Sequence, residues 1–211
     1  MSSASSIDRS PDAGPDRPGD AAPARQGGVG GFLRQLGACA QRLLGRAPVH
    51  DDLDLSDVRR VVFVCTSNLH RSAFAQAAAE LAGLNAASFG LHTATGQRTV
   101  LATVRAAAAL GVPLDQHRAT HRRDFVPAAG DLYLAMEPHH AEELLALGFA
   151  AQRVALLGQW SPRGLRIPEL RGLEQPRLRR CFECIGAAVE ALAQALDAAR
   201  AAPSTVRLQV H

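Results

Sequence analysis

Val61-Val62-Phe63-Val64-Cys65-Thr66-Ser67-Asn68-Leu69-His70-Arg71-Ser72 decides how this chain folds. Its first half is an apolar run that predicts a fully buried parallel strand over Val61 to Val64. Alanine-rich Ser72-Ala73-Phe74-Ala75-Gln76-Ala77-Ala78-Ala79-Glu80-Leu81 reads as the helix that follows. Cys65 therefore sits where a strand turns into a helix, the edge of a parallel sheet at which ligands bind. The start of a helix offers unpaired backbone N–H groups and the positive end of the macrodipole, which favour a thiolate and bind phosphate oxygens alike. The five residues Thr66 to His70 are enough to curl around a tetrahedral oxyanion, while Arg71 brings its planar fork to the same anion. An inert buried cysteine at a strand end is the plain alternative, and the flanking strand and helix argue against it.

Outward from this stretch the pattern alternates. Strands are predicted over Val61 to Val64, Ala87 to Gly90, Leu132 to Met136 and Arg153 to Leu157, and helices over Ser72 to Leu84, Thr99 to Leu110, Pro138 to Leu147 and Leu178 to Ala201. Such alternation means an α/β fold: a four-stranded parallel sheet with helices on both faces and a phosphate-binding loop after the first strand. Within the last helix Phe182, Ile185, Val189, Leu192 and Leu196 form the buried stripe, with Cys181 at its margin.

The run from Val62 to Ser72 resembles the signature of the low-molecular-weight protein tyrosine phosphatases of bacterial type: Cys, five residues, Arg, Ser after a hydrophobic strand. The likeness extends from near Val61 to near Leu196. Ser88-Phe89-Gly90 is similar to that family's Ser-Ala-Gly step, His117-Arg118-Ala119 to its His-Arg-Ala, and Leu132 to Glu137 to its third strand and following Met-Asp. The resemblance implies Cys65 as nucleophile, Thr66, Ser67, Asn68, Leu69, His70, Arg71 and Ser72 around the substrate phosphate, and Asn68, Ser72, Ser88 and His117 as a network holding the loop. Read from residue type alone, Asn68 and Ser72 are ordinary turn and N-cap residues and His117 a surface histidine.

A thiolate at Cys65 attacking phosphorus in line gives a cysteinyl-phosphate that water then hydrolyses, with Arg71 and the loop N–H groups balancing charge on the equatorial oxygens. A tyrosyl leaving group, with a pKa of about 10, needs a positioned acid. The family supplies an Asp-Pro step before the last helix; here Glu169 stands in the aspartate's place and Leu170 replaces the proline. Glutamate is chemically competent, one methylene longer and less constrained, with Glu174 the nearest substitute carboxylate. Two further departures lie in the loop. Ser67 replaces a usual glycine, raising the question of a positive φ there. Leu69-His70 replaces the common Ile-Cys, which removes a protective vicinal thiol; a protonated His70 would favour the thiolate, and a His70 pointing away would not.

The chain has 211 residues, 47% hydrophobic and 4% aromatic, which predicts one domain with a core of mainly Ala, Leu and Val. Every basic side chain besides histidine is arginine, and a net charge of +3 is too small for a nucleic-acid binder. Arginines gather at Arg118, Arg122 and Arg123 and again from Arg163 to Arg180, a rim suited to steering an acidic phosphopeptide.

Four cysteines without a cationic and apolar leader predict a reducing cytoplasm, and no run approaches a membrane span. Cys181 and Cys184 form a lone C-x-x-C; zinc would want about four ligands, so structural thiols are expected, with no metal and no cofactor.

Four segments are predicted: a disordered leader over 1–28, a basic amphipathic helix and acidic linker over 29–58, the phosphatase-like domain over 59–201 and a tail over 202–211. The helix at 29–46 would suit peripheral contact with an anionic membrane or a partner, or packing on its own domain. The partners expected are a phosphotyrosine protein, such as an envelope-associated tyrosine kinase, and no nucleic acid. Two other functions stay open: a thiol-based arsenate reductase of the same fold, and a phosphotyrosine-binding module with little turnover.

Overall fold

The computed structural model describes residues 53–161, 167, 170, 172 and 174–202. Four strands, β1 (Arg60–Cys65), β2 (Ala86–Gly90), β3 (Asp131–Ala135) and β4 (Val154–Leu156), form one parallel sheet in the order β2-β1-β3-β4. Helices α1 (Arg71–Leu81), α2 (Leu101–Ala108), α3 (Pro138–Ala146) and α4 (Gln175–Ala201) cover it. The expected α/β architecture, with a loop after the first strand, is the one found. No helix among the described residues is long and apolar enough to cross a membrane.

β1 shows why both faces are covered. Val61, Phe63 and Cys65 point into a core shared with Phe74 of α1 and Phe182, Ile185 and Val189 of α4, while Val62 and Val64 point into a second core with Phe89, Tyr133 and Leu144. A strand apolar at every position can only be buried on both sides. Aromatics are few but concentrated: Phe74 and Phe182 stack at 4.2 Å between α1 and α4, and Phe89, Phe125, Tyr133 and Phe149 pack together on the other face. Cys181 is fully buried within the α4 stripe rather than at its margin.

Three helices end earlier than their apolar patterns predict, for one reason. After α1, α2 and α3 the chain passes through Gly83, Gly111 and Gly148 in the left-handed region, and the next residue returns its N–H to a carbonyl five positions back: Leu84 to Ala79, Val112 to Ala107 and Phe149 to Leu144, at 2.9–3.1 Å. This is the glycine-capped ending in which an apolar residue beyond the glycine folds back on the helix. Leu84 and Val112 are buried without being helical, so the periodicity runs past the helix end. Similarly, β4 is shorter than predicted because 3-10 turns at Ala151–Arg153 and Leu157–Trp160 flank it, and α4 starts three residues early with Pro176 in its first turn.

The N-terminal edge of the sheet is fixed by Asp131, which is buried on β3. Its carboxylate accepts from Arg60 Nε at 2.7 Å and Arg60 Nη2 at 2.8 Å, from the Ala128 N–H at 2.8 Å and from the Tyr133 hydroxyl at 3.1 Å. Replacing it would strand several donors without acceptors. Asp131→Ala is expected to lower stability by roughly 3 kcal/mol, read as a fall in the urea midpoint at unchanged slope.

Candidate active site

Register brings the ends of β1 and β2 together: Cys65 is opposite Gly90. From there Thr66 to His70 curve into α1. Cys65 Sγ lies 2.9 Å from Ser72 Oγ, and the Asn68 N–H donates to it at 3.3 Å. A hydroxyl and an amide thus converge on a thiol that is only 2% exposed.

Asn68 organises the loop. Its φ of 53° makes it the one non-glycine residue with positive φ among those described. Asparagine tolerates that region because its short polar side chain bonds locally. Here Nδ2 donates to Ser72 Oγ at 3.0 Å and Ser88 Oγ at 2.7 Å, and Oδ1 accepts the Thr120 N–H at 2.8 Å. His117 Nε2 is 2.9 Å from the Asn68 carbonyl oxygen, which can only accept, so Nε2 carries the hydrogen. Asn68, Ser72, Ser88 and His117 are therefore in one connected set of hydrogen bonds. Gln76 extends it, its Oε1 accepting from Ser88 at 2.6 Å.

The positive φ falls at Asn68, so the glycine question raised by Ser67 is answered one residue later. Glycine is instead needed at Gly90. A β-carbon there would lie 2.9 Å from the Ser67 carbonyl carbon and 3.0 Å from the Thr66 oxygen, closer than such contacts allow. Beyond it the Leu91 and His92 N–H groups bond the carbonyls of Cys65 and Thr66 at 3.0 and 2.8 Å, welding loop to sheet.

Arg71 is buried, and its Nη1 pairs with Glu137 just beyond β3. Burial opposes its charge, but Glu137 and Cys65 more than offset this and hold the guanidinium above its ordinary value. The Cys65–Arg71 pairing read from the sequence is thus joined by a carboxylate that positions the arginine. His70 differs from the protonated case: its Nδ1 is 2.7 Å from Thr103 Oγ1 on α2, and burial with the neighbouring Arg71 charge holds its pKa below the usual histidine value. His70 is a neutral anchor of the loop to α2. On the opposite side Thr66 Oγ1 lies 3.0 Å from Nε2 of the fully buried His140. Burial, His139 and Arg71 push His140 down to about 2.

Glu169 and the arginines Arg163, Arg166 and Arg171 lie outside the described residues. Glu174, its nearest substitute, is an exposed residue at the N-cap of α4, 3.6 Å from Arg177. Glu137, Thr103, Thr120 and His140 join the site in the fold without being predicted from the sequence. Only Glu137 carried a signal, as the acidic residue closing the third strand; the others meet the loop through folding alone.

The family model of low molecular weight phosphotyrosine protein phosphatase matches residues 60–202. The chain belongs to that family. Solved structures similar to this phosphatase-family chain include the tyrosine phosphatase AmsI of Erwinia amylovora, with 22% identity over 65% of this chain and 93% of that one and a TM-score of 0.58. Another is Wzb, a tyrosine phosphatase of Escherichia coli K30 solved with sulphate, with 22% identity over 66% and 99% and a TM-score of 0.58. A third is the YwlE arginine phosphatase of Geobacillus stearothermophilus, with 22% identity over 66% and 94% and the same TM-score of 0.58. At these identities the likeness is one of fold. No curated protein matches the chain.

Two outcomes follow from the packing of this family member's loop. Gly90→Ala should displace the Thr66–Ser67 backbone, lower kcat/KM on aryl phosphates about 100-fold and lower stability by about 1 to 3 kcal/mol, read in the urea midpoint. The buried histidines set an acid limit. A folded pKa below the unfolded one means that protons are taken up on unfolding, so stability is full above pH about 6.5 and falls as pH drops. His140 alone should cost about 2 kcal/mol between pH 6.5 and pH 5, a slope in urea midpoint against pH that His140→Asn flattens.

Proposed function

We propose that this family member hydrolyses phosphotyrosine in proteins through a cysteinyl-phosphate, with Cys65 as nucleophile, Arg71 as phosphate clamp and Glu169 as general acid. The observation that carries the reading is the convergence on Cys65 Sγ of the Asn68 N–H and the Ser72 hydroxyl, beside an arginine held in place by Glu137. In the first step Sγ forms a bond to phosphorus as the tyrosyl oxygen leaves and takes a proton from Glu169. In the second, Glu169 takes a proton from water, whose oxygen attacks phosphorus and releases Sγ. Backbone N–H groups of Thr66 to His70 and the Arg71 fork face the equatorial oxygens throughout, and Asn68, Ser72, Ser88 and His117 keep the loop from relaxing.

Arsenate reduction is disfavoured by the α4 thiols. Cys181 is fully buried and pushed up to about 12, chiefly by burial, so it stays protonated and is a poor relay nucleophile. An arginine phosphatase among the similar structures makes the leaving group the point to test. Wild type should turn over a phosphotyrosine peptide faster than phosphoarginine, and Cys65→Ser should reduce turnover to background; the reverse order, or activity surviving in Cys65→Ser, rejects the reading. Glu169→Gln should lose about 100- to 10,000-fold in kcat on phosphotyrosine and much less on p-nitrophenyl phosphate, whose phenolate leaves unaided. Phosphopeptide binding without turnover in wild type would instead make it a binding module.

For partner and place we propose an envelope-associated tyrosine kinase in a bacterial cytoplasm, reached through the basic segment 29–46. Co-sedimentation of the full chain with anionic vesicles, lost in a Leu36→Glu, Leu43→Glu double variant, supports it; no sedimentation counts against it.

A further inference from the structure

We propose that Glu137, His139 and His140 bind a divalent transition-metal ion of the zinc class beside the phosphate loop, sharing one carboxylate with Arg71. The three residues occupy the β3–α3 junction, where Glu137 is the N-cap and Pro138 opens the helix, so both histidines lie in its first turn. One potential ligand atom from each lies within 4.8 Å of the other two. Tetrahedral zinc with bonds of about 2.0–2.2 Å needs its ligands roughly 3.4 Å apart, so a small side-chain closure suffices. His139, exposed, can supply that movement.

The second observation is His140. It is fully buried and its Nδ1 has no hydrogen-bond partner, while Nε2 lies 3.0 Å from Thr66 Oγ1. A histidine that ligates a metal through one ring nitrogen donates the other to an oxygen, which fixes ring and tautomer. With Nε2–H donating to Thr66, Nδ1 is the lone pair left for a metal, and its ring packs 4.0 Å from that of His139. Glu137 is divided in the same way: Oε1 holds Arg71, and Oε2 faces His139 Nδ1 at 3.7 Å.

Two imidazoles and one carboxylate suit zinc, cobalt or copper; magnesium and calcium call for oxygen ligands. A cation on Oε2 draws charge from the oxygen that binds Arg71. The metal therefore acts on the phosphate clamp through Glu137, independently of which phosphoryl compound is the substrate.

Isothermal titration of the reduced, chelator-treated full chain with zinc alone tests the site, with the cobalt optical spectrum reporting ligand type. One equivalent should bind, without a thiolate-to-cobalt charge-transfer band. Affinity should fall at least about tenfold in His139→Ala and again in Glu137→Gln, and stay unchanged in His92→Ala, a nearby exposed histidine. Circular dichroism checks that each variant is folded, and the two ligand variants stand as independent tests. Absence of zinc binding, affinity unchanged in both ligand variants, a loss confined to His92→Ala, a thiolate band, or magnesium bound as tightly as zinc would each overturn the proposal.

Discussion

Asn68 adopts a backbone conformation that costs most residues energy, and the rest of the site depends on that strain being met. Its left-handed turn aims the N–H at Cys65 Sγ and its carbonyl at His117, while the side chain joins α1, β2 and the segment before Thr120. Every polar group of Asn68 is engaged. In a loop of five residues an isolated αL residue would relax unless other groups held it. The hydrogen bonds over-determine the conformation, and they are made by elements that the hydrophobic cores hold in place.

That order of dependence explains why the cores sit where they do. Phe74 and Phe182 clamp α1 to α4, which holds Ser72 and Gln76 at the proper height over the sheet. Register between β1 and β2 sets Gly90 against the loop, where only hydrogen fits. Arg71, the first residue of α1, is aligned by the same helix and by Glu137 across the sheet edge. Strands β1, β2 and β3 and helices α1, α2 and α3 meet at the carboxyl ends of β1 and β3, which is where a doubly covered sheet leaves its backbone ends open to a ligand.

How much of this could be read in the sequence depends on the range of the interaction. The strand–loop–helix of residues 61–81 is legible because its pattern is local: a continuous apolar run, then alanine. The apolar pattern runs on to Leu84, Leu110 and Leu147, past the true helix ends, because the glycine-capped turn keeps an apolar residue on the helical face after the helix has stopped. The association of Asn68, Ser72, Ser88 and His117 was available only from the resemblance; nothing in their spacing brings together residues 20 and 49 positions apart. Thr103, Thr120 and His140 left no trace at all, being common residue types whose meaning is their place.

The histidines show how burial reverses a reading made from residue type. In the sequence His70 is a candidate cation next to a thiol; in the fold, Arg71 already supplies the positive charge, and a second one at half-buried His70 would meet both repulsion and desolvation. The same two causes act on His140 more strongly. Among the described residues around the loop, then, Arg71 keeps its permanent charge while His70 and His140 are kept neutral, so that they hold the loop by hydrogen bonds without competing for the anion. Such a site keeps its charge in the group least able to lose it, since a guanidinium stays protonated wherever the fold survives.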